Sequence, residues 1–139
     1  MLIGIDDKIT ENELINFCKQ TNSWDFIQKK PNKLNTFIGD RGVQLSGGQK
    51  QLISLTRALI RKPQILILDE ATSSLDQESE SAIRNTLIKL SKSKQFTIII
   101  IAHRFSTIQH ANKIYEIRNG KANNLGNWSD AKLILDKND

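Results

Sequence analysis

Two adjacent carboxylates, Asp69 and Glu70, directly follow an uninterrupted apolar run, residues 65–68. A short run of this kind is typical of a strand buried on both faces of a parallel sheet, and ligands of such sheets bind beyond the carboxyl ends of the strands. One carboxylate there can hold Mg²⁺, directly or through water, while its neighbour points elsewhere and can act as a general base on an attacking water. The pair can instead cap the following turn, and both interpretations remain open from these residues.

A histidine, His103, ends a second apolar run, residues 97–102. If the two runs form neighbouring parallel strands, His103 lies near Asp69 and Glu70, where an imidazole can hold a phosphate group and orient a water. A lone histidine at a strand end can also be purely structural. Asp76 follows the carboxylates after a short loop and is suited to cap the next helix, a role that is compatible with a functional one.

The stretch Leu45-Ser46-Gly47-Gly48-Gln49 has the residue types of a phosphate-binding helix start. Adjacent glycines let a backbone approach a ligand closely, and the free N–H groups and dipole of a helix N-terminus attract an anion. Ser46, with Gln49 three residues later, is equally an ordinary capping box. These residues alone favour neither interpretation.

Alternating helices and strands must position these groups. We predict one helix from Gly47 to just before Pro63 and another after Asp76, with buried strands at residues 65–68 and 97–102. The predicted buried faces of the two helices carry Leu52, Ile53, Leu55, Leu59 and Ile60, and Ala82, Ile83, Leu87 and Leu90, respectively. Strands separated by helices indicate an α/β layer architecture.

The flanking segments carry local signals. In a helical region spanning about residues 8–44, Thr10-x-x-Glu13 predicts a capping box, and Ser23 is predicted to cap a second short helix that ends by Pro31. Further on, alternation at residues 114–117 runs into Asn119-Gly120, a hairpin signal, and Ser129 is predicted to cap a last helix.

Composition excludes several classes of protein. The chain has 139 residues, a single cysteine, Cys18, and a net charge of +5. One cysteine excludes an intramolecular disulfide framework and a cysteine-cluster zinc site, and favours the cytoplasm. The lysines are scattered among acidic residues, which favours a solvated mixed surface over a nucleic-acid patch. The strongest apolar run, residues 98–102, is far shorter than the ~20 residues needed to span a membrane.

Taken together, these stretches resemble the ATP-binding cassette (ABC) ATPases. Leu45–Gln49 matches the family's signature motif letter for letter, and residues 65–70 resemble its Walker B strand with the catalytic glutamate. Ser73-Ser74-Leu75-Asp76 resembles the D-loop, and Ala102-His103-Arg104 the histidine switch. All four occur in family order and spacing, and residues 40–44 and 105–108 resemble the exporter-type branch. The resemblance covers nearly the whole chain and weakens after Gly120.

The resemblance implies an α/β fold: an incomplete P-loop NTPase (RecA-like) parallel sheet core with an N-terminal α-helical subdomain. No Gly-x-x-x-x-Gly-Lys-Ser/Thr, the family's phosphate-binding loop, occurs in the sequence. We therefore expect the C-terminal portion of a nucleotide-binding domain. Residues 1–44 would form most of the helical subdomain, and residues 45–139 the signature helix and distal ATPase core.

The missing portion has a consequence for the sheet. In the family, the strand before the phosphate loop lies between the strand that ends in His103 and the strand at residues 114–117. Without it, residues 98–101 are expected to expose an apolar edge, which recruits other chains or aggregates. A substitute strand from residues 2–5 is the alternative.

The resemblance also implies roles for individual residues. Glu70 is expected to be the general base, Asp69 to hold Mg²⁺ and His103 to contact the γ-phosphate of ATP. Asp76 is expected to communicate across a head-to-tail dimer. The residues expected to touch ATP across that dimer are Ser46, Gly47, Gly48 and Gln49, with Ser46 and Gly48 gripping the γ-phosphate.

The family reaction is Mg-ATP hydrolysis coupled to transmembrane export at the cytoplasmic face of the membrane. The implied partners are a transmembrane domain and a second nucleotide-binding domain, and nucleic acid is not among them. A separate N-terminal half is a further candidate partner. We expect little or no ATPase activity from this chain alone. One alternative is a non-catalytic interaction module that pairs with such a half. Another is a DNA-repair or chromosome-maintenance ATPase half, although residues 1–40 lack the sustained heptads that join such halves.

Overall fold

The computed structural model describes residues 9–39, 42–72 and 75–135. The α-helices are α1 (Glu11–Gln20), α2 (Trp24–Ile27), α3 (Gly47–Ile60), α4 (Gln77–Lys92), α5 (Phe105–Ile108) and α6 (Trp128–Leu135), with a 3₁₀ turn at Lys33–Asn35. The strands are β1 (Ile65–Asp69), β2 (Thr97–Ile101), β3 (Ile114–Arg118) and β4 (Lys121–Gly126). Residues 2–5 of the suggested substitute strand, Asp40 and Arg41, and Ser73 and Ser74 of the D-loop stretch lie outside the described residues.

The first helix begins at the predicted capping box. The Thr10 hydroxyl accepts a hydrogen bond from the Glu13 N–H, and the Glu13 carboxylate accepts one from the Thr10 N–H at 2.9 Å. These two bonds satisfy donors that the start of a helix would otherwise leave unpaired. Buried Leu14 and Cys18 of α1 then pack with Ile27 and with Ile60 at the end of α3.

The prediction that Ser23 caps α2 is wrong. Ser23 has helical backbone angles, and its side chain makes no capping bond. It is fully buried, and its hydroxyl contacts the Cys18 carbonyl at 3.2 Å and the Thr56 hydroxyl at 3.1 Å. Thr21 completes this hydroxyl cluster, with its Oγ1 2.6 Å from that of Thr56. Ser23 therefore ties the turn after α1 to α3, a tertiary role that its position in the sequence does not reveal.

Helix α3 has the predicted start and the predicted buried face, which is formed by Leu52, Ile53, Leu55, Leu59 and Ile60. Helix α4 begins as predicted at Asp76, whose side chain accepts a hydrogen bond from the Ser79 N–H at 2.9 Å. Ile83, Leu87 and Leu90 are buried, as predicted, but Ala82 is exposed and was wrongly placed on the buried face.

Strands β1 and β2 pair in parallel, with Ile65 opposite Thr97 and Asp69 opposite Ile101. One face of this sheet packs through Leu66 against the core of α3 and α4. The other face is bare: Ile67 is 62% and Ile101 48% exposed. The prediction that both faces of these strands are buried is therefore wrong for the described chain, because the described helices cover only one side.

Strands β3 and β4 form a separate antiparallel hairpin, so the described strands make two sheets of two strands each. As predicted, Asn119 and Gly120 form its turn, and both have positive φ, 52° and 72°, which the favoured two-residue hairpin turns require. In the described residues β2 pairs with β1 and β3 pairs with β4. The expected exposed edge at residues 98–101 stays a prediction, because residues 2–5 of the alternative strand lie outside the described residues.

The last helix begins two residues earlier than predicted, at Trp128. Ser129 lies inside α6, and the Asn127 side chain accepts hydrogen bonds from the Ser129 and Asp130 N–H groups at 2.8 and 3.2 Å. Asparagine therefore takes the capping role that was assigned to Ser129, as its preference for such positions allows. The proposed boundary between residues 44 and 45 stays a prediction. In the described part of the chain, no helix combines the length and the apolar character needed to cross a membrane.

Candidate functional site

Glu70 and His103 meet at the carboxyl edge of the β1–β2 sheet. His103 Nε2 lies 2.9 Å from Glu70 Oε1. The parallel pairing of β1 and β2 explains this contact. The Glu70 N–H donates to the Ile101 carbonyl at 3.0 Å, so the hydrogen bonds between the strands continue to Glu70, and Ile101 lies two residues before His103. The His103 side chain is 83% exposed and that of Glu70 47%. A ligand approaching this edge can therefore reach both groups.

The backbone at Glu70 adopts an unusual conformation. Its φ is +44°, in the left-handed region where a side chain with a Cβ costs about 1–2 kcal/mol. The chain turns sharply there after β1. Strain of this kind is concentrated at functional sites in proteins, where the surrounding structure holds it in place.

Asp69 is the last residue of β1 and lies in a different environment. It lines a cleft of about 160 Å³ between α3, β1 and α4, together with Gln51 and Ser54. The described residues hold no group of three or more histidine, cysteine or acidic side chains that could cage a metal ion. A single carboxylate at a strand end fits Mg²⁺, which keeps several waters and takes its remaining ligands from phosphate oxygens. The donor set therefore fits a magnesium bound together with a nucleotide.

The residues from Ser46 to Gln49 form the start of α3 as a complete capping box. The Ser46 hydroxyl accepts from the Gln49 N–H, and the Gln49 side chain accepts from the Ser46 N–H, both at 3.2 Å. The bond from the Gln49 N–H occupies one acceptor position of the Ser46 hydroxyl, and the O–H of that hydroxyl can still donate to a ligand. Capping and ligand binding are therefore compatible at Ser46.

Gly48 is buried against the first turn of α4. A Cβ at Gly48 would lie 2.6 Å from Ser79 Oγ and 2.7 Å from Ser79 Cβ, whereas one at Gly47 would lie 3.0 Å from the end of the Leu75 side chain. The close approach of the two helix starts therefore requires glycine at position 48. Asp76 caps the same turn of α4, and the hydrogen bonds from Ser79 hold the pKa of the Asp76 carboxyl below its usual range.

The predicted residues thus lie in two places. Asp69, Glu70 and His103 stand at the carboxyl edge of the parallel sheet. Ser46 to Gln49 and Asp76 stand at the adjoining N-termini of α3 and α4.

Sequence reasoning missed Glu80. Its side chain is 9% exposed, accepts a hydrogen bond from Ser106 Oγ at 2.7 Å, and pairs with the guanidinium of Arg104 and, at 3.6 Å, with that of Arg84. The Ser106 hydrogen bond first, and then Arg104, keep the pKa of Glu80 below its ordinary value although burial opposes this. A signal was present in the sequence: Glu80 is an acid that lies three residues before Ile83 on the buried face of α4.

Comparison with known proteins identifies the family. A model of the ABC transporter family matches residues 6–73. The chain is 50% identical over 114 residues to human "ATP-binding cassette sub-family B member 5", covering 82% of this chain and 9% of that protein. It is 52% identical over 118 residues to Caenorhabditis elegans "Multidrug resistance protein pgp-1", covering 85% and 9%. It is 49% identical over 117 residues to the "ATP-dependent lipid A-core flippase" of Pseudoalteromonas translucida, covering 84% and 20%.

The chain spans 9% to 20% of the length of these three relatives. The family has the P-loop NTPase fold. The helices and the small parallel sheet of this chain form an incomplete α/β core of the P-loop NTPase type, as predicted. The predicted ATP-binding transporter family and its exporter-type branch are likewise confirmed. The chain therefore belongs to the ABC transporter family, among its exporter-type nucleotide-binding domains.

Proposed function

We propose that this chain supplies the hydrolytic and signature groups of an ABC-type site for Mg-ATP. Glu70 acts as general base on the attacking water, Asp69 holds Mg²⁺, and His103 contacts the γ-phosphate. The observation that carries the proposal is the 2.9 Å contact between Glu70 Oε1 and His103 Nε2 at the carboxyl edge of the sheet. A general base and a γ-phosphate ligand that act on one water must both reach that water, so their side chains must lie near each other.

The signature residues serve a second nucleotide in this proposal. Ser46, Gly47, Gly48 and Gln49 bind the phosphates of ATP held mainly by another nucleotide-binding domain in a head-to-tail dimer, and Asp76 communicates between the sites. The N–H groups of Gly47 and Gly48, at the start of a 14-residue helix, support anion binding at this end, whereas that of Gln49 donates to the Ser46 hydroxyl. The bound Mg²⁺ would neutralise charge that develops on the phosphates.

A complete site further requires a phosphate-binding loop, and the 139 residues contain none. We propose that a phosphate-loop half of the domain supplies it and packs on the bare face of the β1–β2 sheet, where Ile65 and Ile67 are 57% and 62% exposed. Large exposed apolar faces of this kind mark interaction surfaces. The assembled domain would work with a transmembrane domain at the cytoplasmic face of the membrane, and its ATP hydrolysis would drive export.

The test is Mg-ATP turnover by the purified chain, alone and mixed with a phosphate-loop half taken from one of the relatives described above. We expect no measurable turnover alone and turnover in the mixture that Glu70→Gln abolishes. Glu78→Gln is the matched control, because Glu78 is exposed in the first turn of α4. Turnover in the mixture that survives Glu70→Gln contradicts the assignment of the base.

A non-catalytic interaction module is the second candidate function. The same bare sheet face supports it, since that face can bind a partner whether or not ATP is hydrolysed. A mixture that forms a stable complex but hydrolyses no ATP favours this second function.

A further inference from the structure

The acid Glu80 is buried at the point where α4 meets the loop that carries His103. Among the described residues, three groups face its carboxylate: Arg104 directly follows His103, Ser106 belongs to α5, and Arg84 lies one turn further along α4. Two of these three partners, Arg104 and Ser106, therefore lie on the segment that directly follows His103, although Glu80 is more than twenty residues away in the sequence.

The contact between Glu70 and His103 does not fix that loop by itself. The His103 side chain is 83% exposed and that of Glu70 47%, and polar contacts that water can reach gain little because water competes for each partner. Helix α5 has only four residues, and Arg104 at its N-cap makes no side-chain capping bond. By contrast, hydrogen bonds to a buried carboxylate from a cation are among the strongest that proteins make.

We propose that Glu80 is a positioning residue that holds His103 against Glu70 through its bonds to Arg104 and Ser106. Glu80 acts through the loop and contacts neither nucleotide nor water at the site. The effect of Glu80 on catalysis rests on the proposed function. The position of His103 against Glu70, however, can be measured without any nucleotide.

The first measurement is a nuclear magnetic resonance experiment on the full chain. The nuclear Overhauser effect between the His103 ring and the Glu70 side chain reports their contact, and methyl signals of Ile83 and Leu87 report the core. We expect Arg104→Ala to remove the His103–Glu70 effect while the core signals persist, and Arg104→Lys to restore part of it. Arg84→Ala is the matched control, because it removes the other cation at Glu80 without touching the loop.

Glu80→Gln provides a second variant that keeps the size of the side chain. Arg104 is 47% exposed, so Arg104→Ala decides the question if Glu80→Gln fails to fold. A His103–Glu70 effect that persists in Arg104→Ala overturns the proposal. An equal loss of the His103–Glu70 effect in Arg84→Ala also overturns the proposal, because removing either cation near Glu80 would then have the same result and the link through Arg104 would not matter.

The second measurement uses the mixture with the phosphate-loop half. Displacing a catalytic group by about 1 Å typically costs up to about 100-fold in rate. We therefore expect Arg104→Ala to lower kcat about 10- to 100-fold with KM nearly unchanged, and Arg84→Ala to match the wild type. A wild-type mixture without turnover refutes the proposed function, and the contact measured without nucleotide then decides the role of Glu80 separately.

Discussion

Gly48→Ala tests the close approach of α3 and α4, on which the arrangement of the signature residues depends. The new methyl group would lie 2.6 Å from Ser79 Oγ and 2.7 Å from Ser79 Cβ. The Cβ is fixed to the backbone and cannot rotate away, so one of the two helices must shift. Overpacking of this kind costs about 1–3 kcal/mol.

The cost is partly offset, because alanine favours a helix over glycine by up to about 1 kcal/mol. Gly47→Ala is the matched control: it gains the same helix preference, but its methyl group meets only the end of the Leu75 side chain, at 3.0 Å. We expect Gly48→Ala to be less stable than Gly47→Ala by about 1–3 kcal/mol. Ser79→Gly should remove most of that difference, since it deletes both atoms that the methyl group meets.

Urea denaturation followed by circular dichroism measures these differences in the free energy of unfolding. The double variant Gly48→Ala/Ser79→Gly gives the coupling between the two positions. Equal stability of Gly48→Ala and Gly47→Ala, or no coupling to Ser79, would refute the reasoning that the two helix starts abut.

Three further predictions concern stability. Thr56→Val should lower the free energy of unfolding by about 1–3 kcal/mol, because it takes a partner from the buried hydroxyl cluster, whereas Ser54→Ala on the exposed side of α3 should change it little. Since the pKa of Glu80 is depressed in the folded chain, the stabilising effect of its charge is present above 4.5, its ordinary value, and is lost as the pH falls through the folded pKa. The difference in the free energy of unfolding between wild type and Glu80→Gln should therefore become smaller as the pH falls below 4.5. Glu70→Gly should be about 1 kcal/mol more stable than Glu70→Ala, since glycine tolerates the positive φ.

Each of these has an outcome that contradicts it. Full stability of Thr56→Val would mean that the hydroxyl cluster contributes nothing. A difference between wild type and Glu80→Gln that does not change between pH 7 and pH 3 would mean that the folded pKa is not depressed. At Asp69, which lies in the extended strand β1, Asp69→Gly should be less stable than Asp69→Ala. If Glu70→Gly were likewise less stable than Glu70→Ala, the result would argue against a left-handed backbone at Glu70.

The features that sequence predicted correctly depend on neighbours in the chain. The capping boxes at Thr10 and Ser46 need only residues three positions apart, and the hairpin turn at Asn119 needs only two residues that accept positive φ. The contact between Glu70 and His103 followed from a single further assumption, that two apolar runs pair in parallel.

The predictions that failed depend on distant parts of the molecule. Ser23 looks like a cap in the sequence, but its hydroxyl bonds to Thr56, which is 33 residues away. The burial of Ile67 depends on whether another layer covers the second face of the sheet, which the strand's own sequence cannot specify. Glu80 was missed because two of its partners, Arg104 and Ser106, lie after β2 on a segment that the sequence does not place beside α4.

The most direct test of the central claim is a titration of the isotope-labelled chain with Mg-ATP, with and without the phosphate-loop half, following the amide signals of Gly47, Gly48 and Glu70. We expect no saturable change with the chain alone and saturable changes once the half is present. Tight binding of Mg-ATP by the chain alone, with its own amides around the β-phosphate, would contradict it.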